Sequence, residues 1–131
     1  MAEKTIWKIL LPMKRRPGMS VEDFRTYYET KHVPLAMRYG GGVKLYKYVR
    51  RYLDPQPHGE FGDGGELAYD VITELWFDDE AMFRGTLQYL TTTAMHPDVQ
   101  ADELNLFDRP AMRIATCVEC EGYPDESSGP A

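Results

Sequence analysis

The chain has 131 residues, of which 43% are hydrophobic and 27% charged, and these values are typical of one soluble globular domain. A formal net charge of −6 argues against nucleic acid as the main partner. No apolar run approaches the ~18 residues that span a membrane. Residues 1–16 carry no export signal, so with two cysteines we expect a cytoplasmic protein without a membrane partner.

The charge is divided unevenly along the chain. Residues 1–52 carry 12 Lys and Arg against 4 Asp and Glu, whereas residues 53–131 carry 3 against 17. Such asymmetry occurs in polyanion-binding proteins, but here the basic residues alternate with apolar ones in a predicted helix and two predicted strands. We therefore favour two halves that fold against each other and partly neutralise their charges.

The first predicted elements are a strand and a helix. Residues 5–13 are apolar and rich in strand-forming types, and a turn follows at 14–18. Ser20 is suited to cap a helix. The apolar stripe of that helix, at spacings of three and four, consists of Val21, Phe24, Tyr28 and His32. Pro34 disfavours helical geometry at the residue before it, so the helix is expected to end near His32. A short further turn can follow at 35–39, before the glycines at 40–42.

The rest of the chain alternates between strand and helix patterns. Strands are predicted at 43–53 and 68–77, separated by a Gly- and Pro-rich loop at 54–66. Asp78 or Asp79 is suited to cap a second helix with a stripe of Phe83, Leu87, Leu90 and Ala94. The last predicted elements are a short acidic helix at 98–106, a strand at 112–118 and a solvated tail.

The predicted order, β-α-β-β-α-β, is typical of a ferredoxin-like α+β sandwich, in which a four-stranded antiparallel sheet carries both helices on one face. Residues 1–121 would form this domain and residues 122–131 a C-terminal tail. Apolar and aromatic residues occur on both sides of the second and third strands. Because such a sheet face needs cover, we expect a homodimer.

His32 is the histidine that continues an apolar helix stripe. A buried histidine held by one hydrogen bond is the ordinary explanation for such a position, but histidine is also the side chain best suited to proton transfer near neutral pH. Both interpretations stay open at this point. His58, in the 54–66 loop, is expected to be exposed, and His96, before Pro97, is expected at a helix end.

The sequence has no spacing typical of a metal, nucleotide or flavin site. It lacks HxxxH and HExxH patterns, and its glycine clusters lack the residues that follow in phosphate-binding loops. Cys117 and Cys120 would point to opposite faces of the predicted last strand, which favours core cysteines over a metal or redox pair. We therefore expect no metal, nicotinamide or flavin.

Tyrosine is frequent, with nine residues in the chain. Tyr46, Tyr48 and Tyr52 share one face of the second predicted strand, together with Arg50. One interpretation is a packed aromatic core with hydroxyls at its margin. The other is a pocket for a planar, oxygenated ligand whose oxygens the hydroxyls orient.

Two blocks of the sequence are similar to those of a known family. The first is KRRPGMS at 14–20, followed by Glu22, Phe24, Tyr27-Tyr28 and KHVPL at 31–35, and the second is DELNLFD at 102–108. They resemble the N-terminal signature and the C-terminal acidic motif of the EthD domain. The chain differs where many members carry Trp, because Tyr28 stands there.

The resemblance implies a dimeric α/β barrel of ferredoxin-like subunits. Its wider superfamily contains enzymes that act without a cofactor on enolic or aromatic substrates, and also haem-dependent members. Haem therefore stays open as a cofactor, with His32 or His96 as its ligand. Matched to the family motifs, His32 is the expected catalytic histidine, and Asp108 would orient it if the fold brings the two together.

Two functions follow as hypotheses. The first is a small cofactor-independent lyase or isomerase, in which His32 transfers protons on an aromatic, enolic or keto-acid substrate. The residues expected to bind that substrate are Tyr28, Tyr46, Tyr48, Tyr52 and Phe107. The second is a small-molecule-binding or accessory protein of an oxygenase pathway, in which nothing turns over.

Overall fold

The computed structural model describes residues 4–40 and 43–123. Its strands are β1 (Trp7–Met13), β2 (Lys47–Tyr52), β3 (Val71–Phe77) and β4 (Ala115–Thr116). Its helices are α1 (Val21–Tyr27), α2 (Val33–Arg38), α3 (Glu80–Thr92) and α4 (Pro97–Leu104), with a π-helical turn at Tyr28–His32 and a 3₁₀ turn at Arg109–Ala111. None of the helices in the described ranges is long and apolar enough to cross a bilayer.

The four strands form one antiparallel sheet in the order β2-β3-β1-β4. The central pair, β1 and β3, is in register from Trp7 opposite Phe77 to Met13 opposite Val71. This order and the packing of helices on the sheet are those of the ferredoxin-like α+β sandwich, so the predicted fold is confirmed.

Several strands are shorter than predicted. The last strand, expected over 112–118, is reduced to Ala115–Thr116. Cys117 and Cys120 follow it and are exposed as free thiols, so the expectation of core cysteines was wrong. From residue 124 onward, the predicted tail lies outside the described residues.

The further turn expected after Pro34 is continuous with the first helix, without the break predicted near His32. Ser20 caps α1 as expected, since its Oγ accepts a hydrogen bond from the backbone N–H of Asp23 at 3.0 Å. At Tyr28–His32 the chain forms a π-helical turn, in which the N–H of Val33 donates to the carbonyl of Tyr28, five residues earlier. Pro34 has no N–H and crowds the carbonyl four residues before it. The wider turn accommodates the proline within the helix, which continues as α2 to Arg38.

The core lies between the helices and one face of the sheet. Alternate residues of β3 point into it, and Val71, Thr73 and Phe77 are at most 1% exposed. A first cluster surrounds Phe24 of α1, and its buried members are Met13, Phe24, Tyr28, Val71, Leu106 and Phe107. A second cluster, Ile9, Phe77 and Phe83, fixes α3 on the sheet.

The opposite face of the sheet, here called the outer face, mixes charged and apolar side chains. Trp76 lies near one end of this face, with Nζ of Lys8 3.8 Å and Nζ of Lys47 5.0 Å from its ring centroid. Glu74, 7% exposed, accepts hydrogen bonds from Arg51 and Trp76 at 2.7 and 2.8 Å. Burial alone would raise the pKa of Glu74, but these bonds outweigh it and the pKa is lowered.

Phe24→Ala is expected to destabilise the chain by about 3–5 kcal/mol, because it removes a ring that is 0% exposed and packed edge-on against three other rings. Phe61→Ala is the matched control, since Phe61 is 78% exposed and its loss should cost less than about 0.5 kcal/mol. Urea unfolding measures both, and equal losses would refute the assignment of Phe24 to the core centre.

Candidate functional site

A buried imidazole–carboxylate pair joins the first helix to α4. Nδ1 of His32 lies 2.7 Å from Oδ2 of Asp102, and the two residues are 7% and 9% exposed. Since a carboxylate oxygen accepts, Nδ1 is the donor in this contact. A neutral ring then carries its unshared electron pair at Nε2, where it can take up a proton.

Asp102 receives a second hydrogen bond, from the hydroxyl of Tyr27 to Oδ1 at 2.7 Å. Burial, together with this bond to Asp102, raises the pKa of Tyr27, so the hydroxyl keeps its proton and remains a donor. One donor on each oxygen fixes the plane of the carboxylate. The carboxylate in turn fixes the orientation of the His32 ring.

Aromatic rings enclose much of the remaining surface of His32. Its ring centroid lies 4.9 Å from that of Tyr28 and 5.3 Å from that of Phe107, both in edge-on geometry. The rings of Tyr28 and Phe107 are themselves 5.7 Å apart. Such edge-to-face packing holds each ring in one position, so the imidazole is restrained on several sides.

The second ring nitrogen of His32 is not engaged. Among the described residues Nε2 has no hydrogen-bond partner, and the buried side-chain nitrogens in that part of the chain that lack one are Nε of Arg25 and Nε of Arg109. Nε2 is therefore not completely buried, although His32 as a whole is only 7% exposed. The pair presents one oriented nitrogen to its surroundings, which is the minimum that acid–base chemistry requires.

Three of the predicted substrate-binding residues, Tyr28, Tyr52 and Phe107, lie together around Phe24. The hydroxyl of Tyr28 is hydrogen-bonded to Oγ1 of Thr73, and that of Tyr52 donates to Oε2 of Glu29 at 2.5 Å. Burial raises the pKa of both tyrosines, strongly for Tyr28. Their hydroxyls are thus protonated and already bonded within the chain.

Tyr48 lies on the same face of β2, half-buried, with the guanidinium of Arg50 4.8 Å from its ring centroid. Burial raises the pKa of Tyr48, and hydrogen bonding to Tyr28 partly opposes the rise. Arg50 is held by Glu29 through two hydrogen bonds of 2.6 and 2.9 Å. Arg50 is therefore part of an ion pair that closes the edge of the aromatic cluster.

Tyr46 does not join the other two strand tyrosines, contrary to the face assigned from alternation. Its N–H donates to the carbonyl of Trp76, the residue that also lies opposite Lys47, so two successive residues face one on β3. This two-against-one arrangement is that of a β-bulge and breaks the alternation. Tyr46 is 44% exposed, with Nζ of Lys4 5.2 Å from its ring centroid.

The predicted pairing of Asp108 with His32 is not found in the described part of the chain. The backbone N–H of Asp108 donates to the carbonyl of Lys14, which places the residue at the junction with the end of β1. His32 pairs with Asp102 instead, six positions earlier in the same acidic segment. Asp102 lies inside α4.

A helical pattern in the sequence contained the signal for Asp102. The buried positions at the end of α4 and just after it are Val99, Asp102, Glu103 and Leu106, spaced as one helix face. Two carboxylates on the apolar stripe of a short helix indicate buried, partnered acids. A short acidic helix was predicted for this segment, but the burial of its two carboxylates was not.

Glu103 lines an open cleft of about 560 Å³ beside α4. The other residues of this cleft are Met95, Leu104, Arg109, Pro110 and Met112. Glu103 is 6% exposed, and burial raises its pKa, although the neighbouring Arg109 and His32 act against the rise. Glu103 was noted in the sequence as part of the acidic motif but was not predicted to belong to the site.

Neither of the two candidate haem ligands, His32 and His96, lines the cleft beside α4. His96 uses Nδ1 to accept the N–H of Asp98 at the start of α4, and its ring is stacked on Tyr39 at 4.3 Å. His32 is enclosed by aromatic rings. Within the described ranges, no three His, Cys, Asp or Glu side chains converge as metal ligands.

The family model of the EthD domain matches residues 16–110 of this sequence, which is more than half of the chain. The chain belongs to the EthD domain family. The matched range begins before α1 and ends at the 3₁₀ turn, so it contains both His32 and Asp102. No protein of curated function matches the EthD chain.

Solved structures similar to the EthD chain include an ethyl tert-butyl ether D (EthD) family protein from Bacillus halodurans C-125, which is 14% identical with a TM-score of 0.51. The alignment covers 87% of this chain and 99% of that one. An EthD-like protein from Ralstonia eutropha JMP134 is 14% identical with a TM-score of 0.50, covering 89% and 90%. A dimeric protein of unknown function with a ferredoxin-like fold from Bacteroides fragilis NCTC 9343 is 14% identical with a TM-score of 0.47, covering 86% and 94%.

Glu103→Gln is expected to change how the stability of the EthD chain depends on pH. Because the pKa of Glu103 is raised in the folded state, the wild-type chain loses stability as the pH rises from the usual glutamate range through the raised value. The variant lacks that loss, so its free energy of unfolding relative to wild type should increase over the same range. Urea unfolding at several pH values measures the difference.

Glu66→Gln is the control of opposite sign. Hydrogen bonding to Lys14 lowers the pKa of Glu66, so its ionised form stabilises the fold and that contribution disappears as the pH falls through the lowered value. Relative to wild type, this variant should lose stability as the pH rises. Parallel pH dependences for the two variants would refute the raised pKa of Glu103.

Proposed function

We propose that this EthD chain is a small enzyme that moves protons on an aromatic, enolic or keto-acid molecule, with His32 as its acid–base group. The observation that carries the proposal is the buried His32–Asp102 pair, with Nδ1 held and Nε2 unengaged. A histidine whose Nδ1 is held by a carboxylate, itself oriented by a second donor, has the arrangement that acid–base histidines have in catalytic triads.

Proton transfer of this kind requires the ring to accept at Nε2 and to return the proton from the same atom. Asp102 keeps the neutral ring in the tautomer that leaves Nε2 unprotonated, and it stabilises the charged ring that forms after proton uptake. A positioned acid–base group typically contributes ~10²–10⁴-fold in rate. Decarboxylation, dehydration and isomerisation all proceed through proton transfer next to a carbonyl or phenol, so no cofactor is part of the proposal.

In this proposal the aromatic cluster of Tyr28, Tyr52 and Phe107 positions the His32 ring and takes little direct part in the chemistry. The hydroxyls of Tyr28 and Tyr52 have partners within the chain, and their raised pKa values keep them neutral. Their rings, with that of Phe107, hold the imidazole in place and exclude water from one side of it. A drier surrounding strengthens the His32–Asp102 hydrogen bond.

We also propose that the outer face of the sheet covers itself with a second copy of the chain. Its half-buried apolar residues are Leu10, Val49, Ile72 and Trp76, and in the described ranges the helices pack on the other face. A face that combines apolar side chains with both signs of charge can complement itself across a two-fold axis.

His32→Ala is expected to lower turnover per folded molecule by ~10²-fold or more, because it removes the proton acceptor. Asp102→Asn should lower turnover too, since the amide no longer favours the required tautomer. The assay follows loss of phenolic and β-keto carboxylic acids by mass spectrometry, with thermal unfolding of each variant recorded in parallel.

Asp108→Asn is the matched control for Asp102→Asn, because it makes the same chemical change in the same segment without touching His32. Its turnover should stay near that of wild type. Equal losses in the two variants, or activity that falls only in proportion to the folded fraction of His32→Ala, would contradict the proposed centre. Tight binding of these acids with no turnover by the wild-type chain would favour the accessory-protein hypothesis.

Sedimentation at micromolar concentration is expected to show a particle of twice the 15.1 kDa chain mass. Val49→Asp should produce monomers, because it places a charge in the middle of the outer face beside Glu74. Val118→Asp, a change at a residue that is 93% exposed, should leave the dimer unaffected. A wild-type monomer at this concentration would refute the dimer.

A further inference from the structure

The cleft beside α4 combines apolar walls with two charged side chains. Met95, Leu104, Pro110 and Met112 form the walls, while Glu103 and Arg109 are its charged lining residues. A volume of about 560 Å³ is within the range of small-molecule sites and suits a ring-sized compound. The proposed proton transfer at His32 uses neither Glu103 nor Arg109.

Arg109 has donors that the described residues do not satisfy. Its Nε is buried and lies 3.3 Å from Oε1 of Glu103, but the N–H is not directed at that oxygen in hydrogen-bond geometry. An unpaired buried guanidinium nitrogen is costly, so such a position calls for an acceptor. The planar fork of a guanidinium fits a carboxylate through two parallel hydrogen bonds.

The carboxylate of Glu103 also attracts the guanidinium of Arg109, so it would compete with any anion that binds there. Three charged or titratable groups shift the pKa of Glu103. They are Arg109 from the 3₁₀ turn, His32 from the first helix, and Asp102 from the same helix as Glu103. When Glu103 is ionised it attracts Arg109, and when it is protonated it leaves Arg109 free and can donate a hydrogen bond itself. Because burial raises the pKa of Glu103, its carboxylate releases the guanidinium at a higher pH than an exposed glutamate would.

We propose that this cleft binds the carboxylate of a small apolar acid, with Arg109 holding the anion and Met95 and Met112 contacting its hydrocarbon part. The inference rests on the proposed function for the idea of a small-molecule substrate, and it names the substrate class as carboxylic acids. Glu103 sets the affinity through its competition for Arg109. Glu103 directly follows Asp102 in α4, so the cleft and the proton-transfer pair share this helix.

The test uses benzoate as the probe and the methionine methyl groups of the full-length chain as reporters. In a ¹³C-methyl NMR titration at millimolar benzoate, the resonances of Met95 and Met112 should shift in a saturable manner. Met82, which packs against the Phe77–Phe83 cluster, should not shift. Benzamide, a neutral molecule of nearly the same shape, should shift none of them at the same concentrations.

Variants separate the two charged residues. Arg109→Gln should weaken benzoate binding about tenfold or more, since a charge-assisted pair is lost, and Arg109→Lys should restore part of it. Glu103→Gln should strengthen binding because the competing carboxylate is gone, and it should reduce the loss of affinity that wild type shows as the pH rises. An unchanged Met82 resonance verifies that each variant is folded.

Several results would overturn the inference. These are equal shifts with benzoate and benzamide, shifts confined to methionines outside the cleft, no shift at all, or benzoate affinity unchanged in Arg109→Gln. Failure of the proposed function is a separate result: cleft binding that depends on Arg109, with no turnover of any carboxylic acid, would leave the binding site standing and remove the enzyme. Turnover of a carboxylic acid without shifts of Met95 and Met112 would support the enzyme and remove this binding site.

Discussion

The hydrogen bond between His32 and Asp102 is the constraint to which the rest of the structure conforms. Both groups are less than a tenth exposed, and burying either one alone would cost several kcal/mol. Pairing them, with Tyr27 on the second carboxylate oxygen, makes that burial tolerable. The pair also ties the first helix to α4, two elements 70 residues apart in sequence, so the fold and the proposed chemistry depend on one contact.

The surrounding elements are arranged to hold this contact in one geometry. The π-helical turn places Tyr28 and His32 on the buried side of the helix, where their rings meet at 4.9 Å. Phe107 closes the other side just after α4, where its N–H donates to the carbonyl of Glu103 and it bridges to Arg15 near the end of β1. Such π-helical turns within α-helices are often found at functional sites. This one lies where the proposed proton transfer takes place.

Local patterns predicted the fold and half of the pair. The cap at Ser20 and the burial of Phe24, Tyr28 and His32 depend on neighbours within a few residues, and these were recovered. Val21, which was assigned to the same stripe, is 37% exposed. The partner of His32 was not recovered: the helical spacing of α4 indicates that Asp102 is buried, but which residue it contacts is set by how α4 docks. The same holds for Tyr46, which a bulge turns away from the strand tyrosines, and for the helix that continues past Pro34.

The most direct test of this account is the tautomer of His32, observed through the ring nitrogens of ¹⁵N-histidine-labelled protein. The chain has three histidines, so the spectrum is simple to assign with His58→Ala and His96→Ala variants. We expect the neutral His32 ring to carry its proton on Nδ1 and none on Nε2, and the Asp102→Asn variant to lose that preference. A proton on Nε2 of neutral His32 in the wild-type chain would contradict the central claim, since the nitrogen proposed to accept protons would already hold one.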